Sequence, residues 1–242
     1  MDVPSEAPVK ANGLKTLLDV IIAPKEAFEQ LRIAPTWGWA FLVALVLYTV
    51  GTFLLTPALV HATQAGFPEM VAATPQLQQL TPEQQQAQLK IVLTVISFSW
   101  VFAIFIFPLI LLVQTVVLLI FKAIGRGDAG FGKLWAVACN VAVPSIGLGS
   151  ICVAIVAMIR GADSFQRATD VQTAMPSLAL IAPAAGAKLH VFLGLINPFS
   201  LWGCFLMATG LIVTARVSKT VGWIGAVAIL VVGAALAAAG AK

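Results

Sequence analysis

The run "WGWAFLVALVLYTVGTFLLTPAL", residues 37–59, contains no Asp, Glu, Lys, Arg or His. A helix of about 20 apolar residues crosses the hydrocarbon of a bilayer, and hydrocarbon admits ionised side chains only at a cost. This run therefore reads as a membrane-spanning helix. Four further uncharged runs follow, at 91–121, 134–159, 199–215 and 220–241. Composition agrees: the 242 residues are 60% hydrophobic and 10% charged. Soluble proteins average roughly 45–50% apolar and 25% charged, so these charges are too few to cover a water-exposed surface. The fold class expected is all-α, an integral membrane bundle of five helices forming one domain over 37–241. A cytoplasmic segment, 1–36, precedes it. No cleavable signal peptide is expected, because Asp19 and Pro24 interrupt the only apolar candidate before Trp37.

The second run, 31 residues long, would measure about 46 Å as a helix, more than a bilayer's hydrocarbon. It must tilt, protrude or bend, and Pro108 is the expected bend. The stretch 176–196 is also rather apolar, but Pro183, Lys188 and His190 argue against a sixth span. It is expected to lie, interfacial or partly buried, outside the membrane. With the N-terminus in the cytoplasm, nine Lys and Arg fall on that side and five on the other. The positive-inside rule thus favours N-inside and C-outside.

Local signals mark the ends of helices. Asn12 is placed to cap a helix whose Leu14, Leu17, Leu18, Ile21 and Ile22 repeat on one face. Pro24 ends it and opens a second, in which Phe28 and Leu31 share a face. Two short amphipathic helices along the membrane surface follow from this pattern. Thr81, Pro82 and Gln84 spell a capping box before the second span. "GRGDAG", 125–130, matches a dinucleotide-binding pattern but follows a membrane helix, so a tight turn is the better reading. Asn197 and Pro198 start the fourth span, with Trp202 near the interface. Gly203 and Gly210 lie seven apart, and Gly225, Gly233, Ala234, Ala237 and Ala238 fill the last span. Such small residues let helices approach closely, within one bundle or in a homo-oligomer.

No catalytic, cofactor-binding or metal-binding residue is expected. Proton relays need titratable groups at membrane depth, and the spans have none. Cys139, Cys152 and Cys204 stand in apolar runs without metal-ligand spacing, and no basic-aromatic patch suits nucleic acid. Gln114, Asn140 and Ser145 remain as interhelical hydrogen-bonding or solute-lining candidates, with Gln114 and Asn140 expected to bond each other across spans two and three.

Three passages together resemble the Yip family, the Ypt/Rab-interacting membrane proteins: "VIIAPKEAFEQLRIAPTWGW" (20–39), "FGKLWAVACNVAVPSI" (131–146) and "LINPFSLWGCFLMATGLIVTARVSK" (195–219). The resemblance covers about residues 17–239. It implies a five-span, N-cytoplasmic plan and a bacterial-type member with a short N-terminal region. Eukaryotic members act in vesicle traffic with Rab partners, and that role is not carried over. Pro24, Ala27, Phe28, Pro144, Asn197, Pro198, Phe199 and Trp202 match the family's structural positions. The expected function is non-enzymatic organisation of membrane lipids or protein partners, docked at the cytoplasmic face through Pro24, Phe28 and Leu31. The alternatives are a channel or carrier for a neutral solute, and a lipid-handling protein.

Overall fold

A computed structural model describes residues 12–172, 174–182 and 186–240. Outside the described residues lie 1–11, Pro183 within the 176–196 stretch, and Ala241, where the last span was expected to end. The described chain is helical, with no strand among these residues. Five helical runs among them are long and apolar enough to cross a membrane: Gly38–Ala73, Ser99–Ile124, Phe131–Arg160, Pro198–Ala215 and Lys219–Ala239. They are named α3, α6, α7–α8, α11 and α12 below. Large apolar side chains such as Phe105, Ile120 and Val231 stand exposed on them. Only lipid can cover a belt of that kind, so the molecule is an integral, multi-pass membrane protein.

Two short helices, α1 (Gly13–Ile22) and α2 (Pro24–Ile33), precede the first span. Asn12 caps α1 by accepting from the backbone N–H of Leu14 at 3.2 Å and of Lys15 at 3.4 Å. Pro24 occupies the first turn of α2, where its missing N–H costs nothing. Ala27, Phe28 and Leu31 of α2 are fully buried in the main core, with Val20 of α1, Leu134 and Val137 of α7, and Leu206 and Leu211 of α11. The Thr214 hydroxyl donates to the Phe28 carbonyl at 3.4 Å. This corrects one expectation. The apolar face of α2 is not free for a partner, because α7 and α11 already fill it. What α1 leaves exposed is Leu14, Leu18 and Ile22, one residue per turn along its outer side.

The first span continues well past its apolar run. α3 reaches Ala73 and carries Pro57 and Pro68 inside it. Hydropathy falls where water begins, but the helix persists because its far half has packing partners. Ala58 and Ala62 join Ala157, Phe165, Val171 and Ala174 in a separate cluster. There Arg167 grips Glu69 through two hydrogen bonds, of 2.9 and 2.6 Å, and Arg160 lies 4.7 Å above the Phe165 ring. The second span is also revised. A short turn, α4 (Pro75–Gln78), leads to α5 (Pro82–Ser97), which starts with the Thr81–Gln84 capping box. The helix then breaks at Phe98 before α6 begins. Pro108, the expected bend, lies inside α6.

The third span joins α7 (Phe131–Ala142) to α8 (Leu148–Arg160) through one π-helical turn, Val143–Gly147. Pro144 has no N–H, and its ring would crowd the carbonyl of Asn140 in a regular α-helix. The wider turn relieves that conflict. Beyond α8, the chain forms α9 (Ala168–Gln172), a 3₁₀ turn (Leu178–Ile181) and α10 (Ala187–Gly194), all too short to cross a bilayer. α10 packs on α12, and the Leu178 N–H donates to the Ile196 carbonyl at 3.1 Å, closing the segment on itself.

The Phe28→Ala substitution should open a cavity where α2, α7 and α11 meet and cost about 3–5 kcal/mol. Thermal unfolding in detergent should show a lowered midpoint. An unchanged midpoint would mean that α2 is peripheral to the core.

Candidate functional site

α11 is the most enclosed of the five spans, and its small residues decide how near its neighbours come. A Cβ added at Gly203 would sit 2.5 Å from the Ser145 Cβ of the π turn, and one at Gly210 would sit 2.5 Å from a Val137 methyl. α12 meets α6 at the end nearest α2, where Gly225 lies against Phe121. Toward the opposite end the two helices instead form facing walls. Between them is a cleft of about 470 Å³, within the ordinary range for small-molecule sites, about 300–1,000 Å³.

One wall is Ile106, Leu109, Ile110, Val113, Gln114 and Val117 of α6. The other includes Ile229, Leu230, Val232, Gly233 and Leu236 of α12. The floor comes from Val141, Ser145 and Ile146 of the third span and from Ser200, Gly203, Cys204 and Met207 of α11. No charged side chain lines it. The Ser145 hydroxyl donates to the Val141 carbonyl at 2.7 Å, and the Ser200 hydroxyl donates to the Asn197 carbonyl at 2.9 Å. Gln114 differs. Its Oε1 is buried, and among the described residues nothing hydrogen-bonds to it. Gly233 faces open space, with no atom within 4 Å of an added Cβ.

The residues singled out from sequence separate into distinct places. Gln114 and Ser145 share the cleft. Asn140 does not, and the expected Gln114–Asn140 bond is absent. Asn140 is buried on another side of α7, donating to the Thr36 carbonyl at 2.9 Å and to the Ala136 carbonyl at 2.8 Å. It therefore ties the third span to the linker before the first. Pro144 is buried in the π turn. Asn197 caps α11 by accepting from Phe199 and Ser200 N–H groups, both at 3.0 Å, with Pro198 in the first turn. Phe199 packs against Gly149, and Trp202 stacks on Phe205 with ring centres 5.1 Å apart. Pro24 only starts α2, and Phe28 and Leu31 are core. Sequence reasoning missed most of the cleft. Met207, Ile229 and Leu230 are ordinary apolar residues whose grouping depends on how helices from distant parts of the chain meet.

Two further polar pairs lie away from the cleft. His61 Nε2 is 3.2 Å from Asp163 Oδ1, and Asp128 Oδ2 is 3.7 Å from Arg216. The latter pair, with the Asp128 N–H on the Ala215 carbonyl at 3.1 Å, locks the 125–130 turn onto the α11–α12 connection. Among the described residues, no three His, Cys, Asp or Glu side chains come together as a metal site would need.

Five apolar helices, an N-terminal helix pair that buries one face in the bundle, and a neutral cleft define a compact multi-pass membrane domain. The Yip1 domain matches residues 18–240, and the chain belongs to that family. It is similar to Membrane protein YknW of Bacillus subtilis (strain 168), with 29% identity over 222 residues, covering 88% of this chain and 84% of that protein. No solved structure matches it.

Replacing Asn140 with Leu should strip the Thr36 carbonyl of its partner. Bonds of this kind in membrane proteins average about 0.6 kcal/mol and reach about 1.7, so a destabilisation in that range is expected from unfolding in mixed micelles. A neutral result would mean that Thr36 finds another donor.

Proposed function

We propose that this Yip1-domain protein is a non-enzymatic organiser of its own membrane, acting by taking a lipid chain into the α6–α12 cleft. The observation that carries this reading is the cleft itself. It is apolar, uncharged, of ligand size and bounded by two helices whose outer sides face lipid. Association of helices in lipid depends on close packing, and a groove left between two spans has the surrounding acyl chains as its nearest available filler. The reading develops the lipid-handling alternative. Partner organisation through Phe28 and Leu31 loses its support, since both side chains are inside this chain's core. A solute channel is favoured less, because Gln114 and Ser145 line the cleft without Asn140, and the rest of the lining is almost wholly apolar.

The same proposal places the protein in a bacterial inner membrane with its N-terminus inside. The end of the bundle carrying α1 and α2 also carries Lys122, Arg126, Lys133, Arg216 and Lys219, the bias that cytoplasmic loops show.

The test uses the full chain in nanodiscs containing phosphatidylcholine with a photoactivatable acyl chain. Label should concentrate on Gly203, Cys204 and Met207 over the outward-facing Phe53 and Val231. In the Gly233→Phe variant, whose new ring enters open space, labelling of those three residues should fall several-fold. Even labelling over all lipid-facing residues, unaffected by this substitution, would overturn the proposal.

A further inference from the structure

We propose that the end of the bundle carrying α1 and α2 holds an anionic phospholipid by its phosphate, between Arg126 and Arg216. The site is separate from the cleft, which lies toward the opposite end of α6 and α12, and it stands whether or not a lipid chain enters there. Among the described residues only two other than glycine have positive φ, Arg126 at 53° and Arg216 at 55°. Residues with a Cβ are uncommon in that region, and those that enter it are mostly Asn, Asp and His. Both arginines stand where spans end, Arg126 after α6 and Arg216 after α11.

Local hydrogen bonding explains the backbone at these positions but not the side chains. The Arg126 N–H donates to the Ala123 carbonyl at 3.1 Å, and the Gly127 N–H donates to the Lys122 carbonyl at 2.8 Å. In that helix ending, glycine is the usual residue at the left-handed position. Arg216 closes α11 in the same conformation, with ψ 38°. Glycine would relieve both places. Strain kept at two neighbouring turns points to a use for what the side chains carry.

The two turns form one surface. A Cβ at Gly127 would collide with the Ala215 carbonyl, and one at Gly125 would sit 2.7 Å from a Val217 methyl. The residue after Arg126 thus touches the residue before Arg216. Lys122, Lys133 and Lys219 stand on the same helix ends. Against these five cations the turns carry one carboxylate, Asp128, 3.7 Å from Arg216. Lys122, Arg126, Lys133 and Lys219 form no ion pair among the described residues. The three acids and three bases of α1 and α2 cancel, so an excess of four positive charges remains among the described residues at this end. The positive-inside rule accounts for the number of bases. It does not require arginine at the two left-handed positions.

A guanidinium presents paired N–H donors in the plane that a phosphate's oxygens match. At the ends of two spans these groups stand at headgroup depth, where phospholipid phosphates lie. The lipid carries net negative charge, because a zwitterionic headgroup would bring its own ammonium to a surface already cationic.

Thermal unfolding of the full chain in a non-ionic detergent tests this, alone or with equal concentrations of phosphatidylglycerol, phosphatidylcholine or inorganic phosphate. Phosphatidylglycerol should raise the wild-type midpoint several-fold more than the other two. In the double variant Arg126→Gly, Arg216→Gly that extra rise should shrink several-fold, while the midpoint without lipid climbs by about 2–4 °C, the effect of a modest gain in stability for a chain of this size. Lys188→Gln, which removes a charge from the other end of the bundle, should respond as the wild type does. An equal rise with both lipids overturns the proposal, as does a phosphatidylglycerol preference that survives in the double variant. A lower lipid-free midpoint in the double variant would make the two arginines structural and overturn it as well. A matching loss in Lys188→Gln would reduce the response to net charge alone. If inorganic phosphate reproduces the full rise, the occupant is a soluble phosphate and the lipid assignment falls.

Discussion

Two glycines on one side of α11 set how closely this bundle can be drawn together. At Gly203 the π turn of the third span rests on bare backbone, and at Gly210 Val137 and Phe28 do the same. In lipid, burial of apolar surface from water supplies little reason for helices to associate, and close van der Waals contact takes its place. α11 thereby becomes the post around which α2, α7 and α12 gather. The rest of the architecture follows from that post. α2 is drawn inward, and α12 is fixed against α11 and α6 at one end only. The cleft is the space that remains at the other.

Much of this organisation is legible in the chain. The absence of charge marks all five spans, and the caps at Asn12, Thr81 and Asn197 mark helix starts with the bonds their side chains go on to make. Caps are legible because they are local, with donor and acceptor a few residues apart. The lengths of α3 and the second span are less so. Hydropathy reports where lipid ends, whereas α3 continues to Ala73 on contacts with Phe165 and Val171, about a hundred residues away in sequence. Phe28 shows a different limit. An apolar face on a short helix looks alike whether it meets lipid, a partner or its own bundle; here α7 and α11 take it in, with Phe28 close against Gly210. The cleft was least legible of all. Gln114 and Ser145 stood out because they are polar, but their apolar neighbours carry no mark of shared location.

Several polar side chains in the spans join segments, although the Asn140 Oδ1, like the Gln114 Oε1, is buried without a partner among the described residues. Asn140, Thr214 and Ser150 each bond a backbone carbonyl on another segment: Asn140 to Thr36, Thr214 to Phe28 and Ser150 to Leu47. These are side chains used to join segments where water cannot compete. Ser145 and Thr115 bond within their own helices. Gln114 does neither, and it lies where the helices part.

The π turn at Val143–Gly147 holds the third span to two neighbours at once. On its near side Ser145 touches Gly203 of α11; just beyond it Ser150 touches Gly51 of α3. Successive residues of a helix advance by about 100° around the axis, so the extra residue accommodated in this turn acts as a phase setting for everything after it. Deleting one residue here would leave hydropathy and span length almost untouched, yet it would rotate α8 by about that angle and turn Ser150 away from Leu47. The azimuth of the third span, and with it the join between α3 and α8, is set by a single proline.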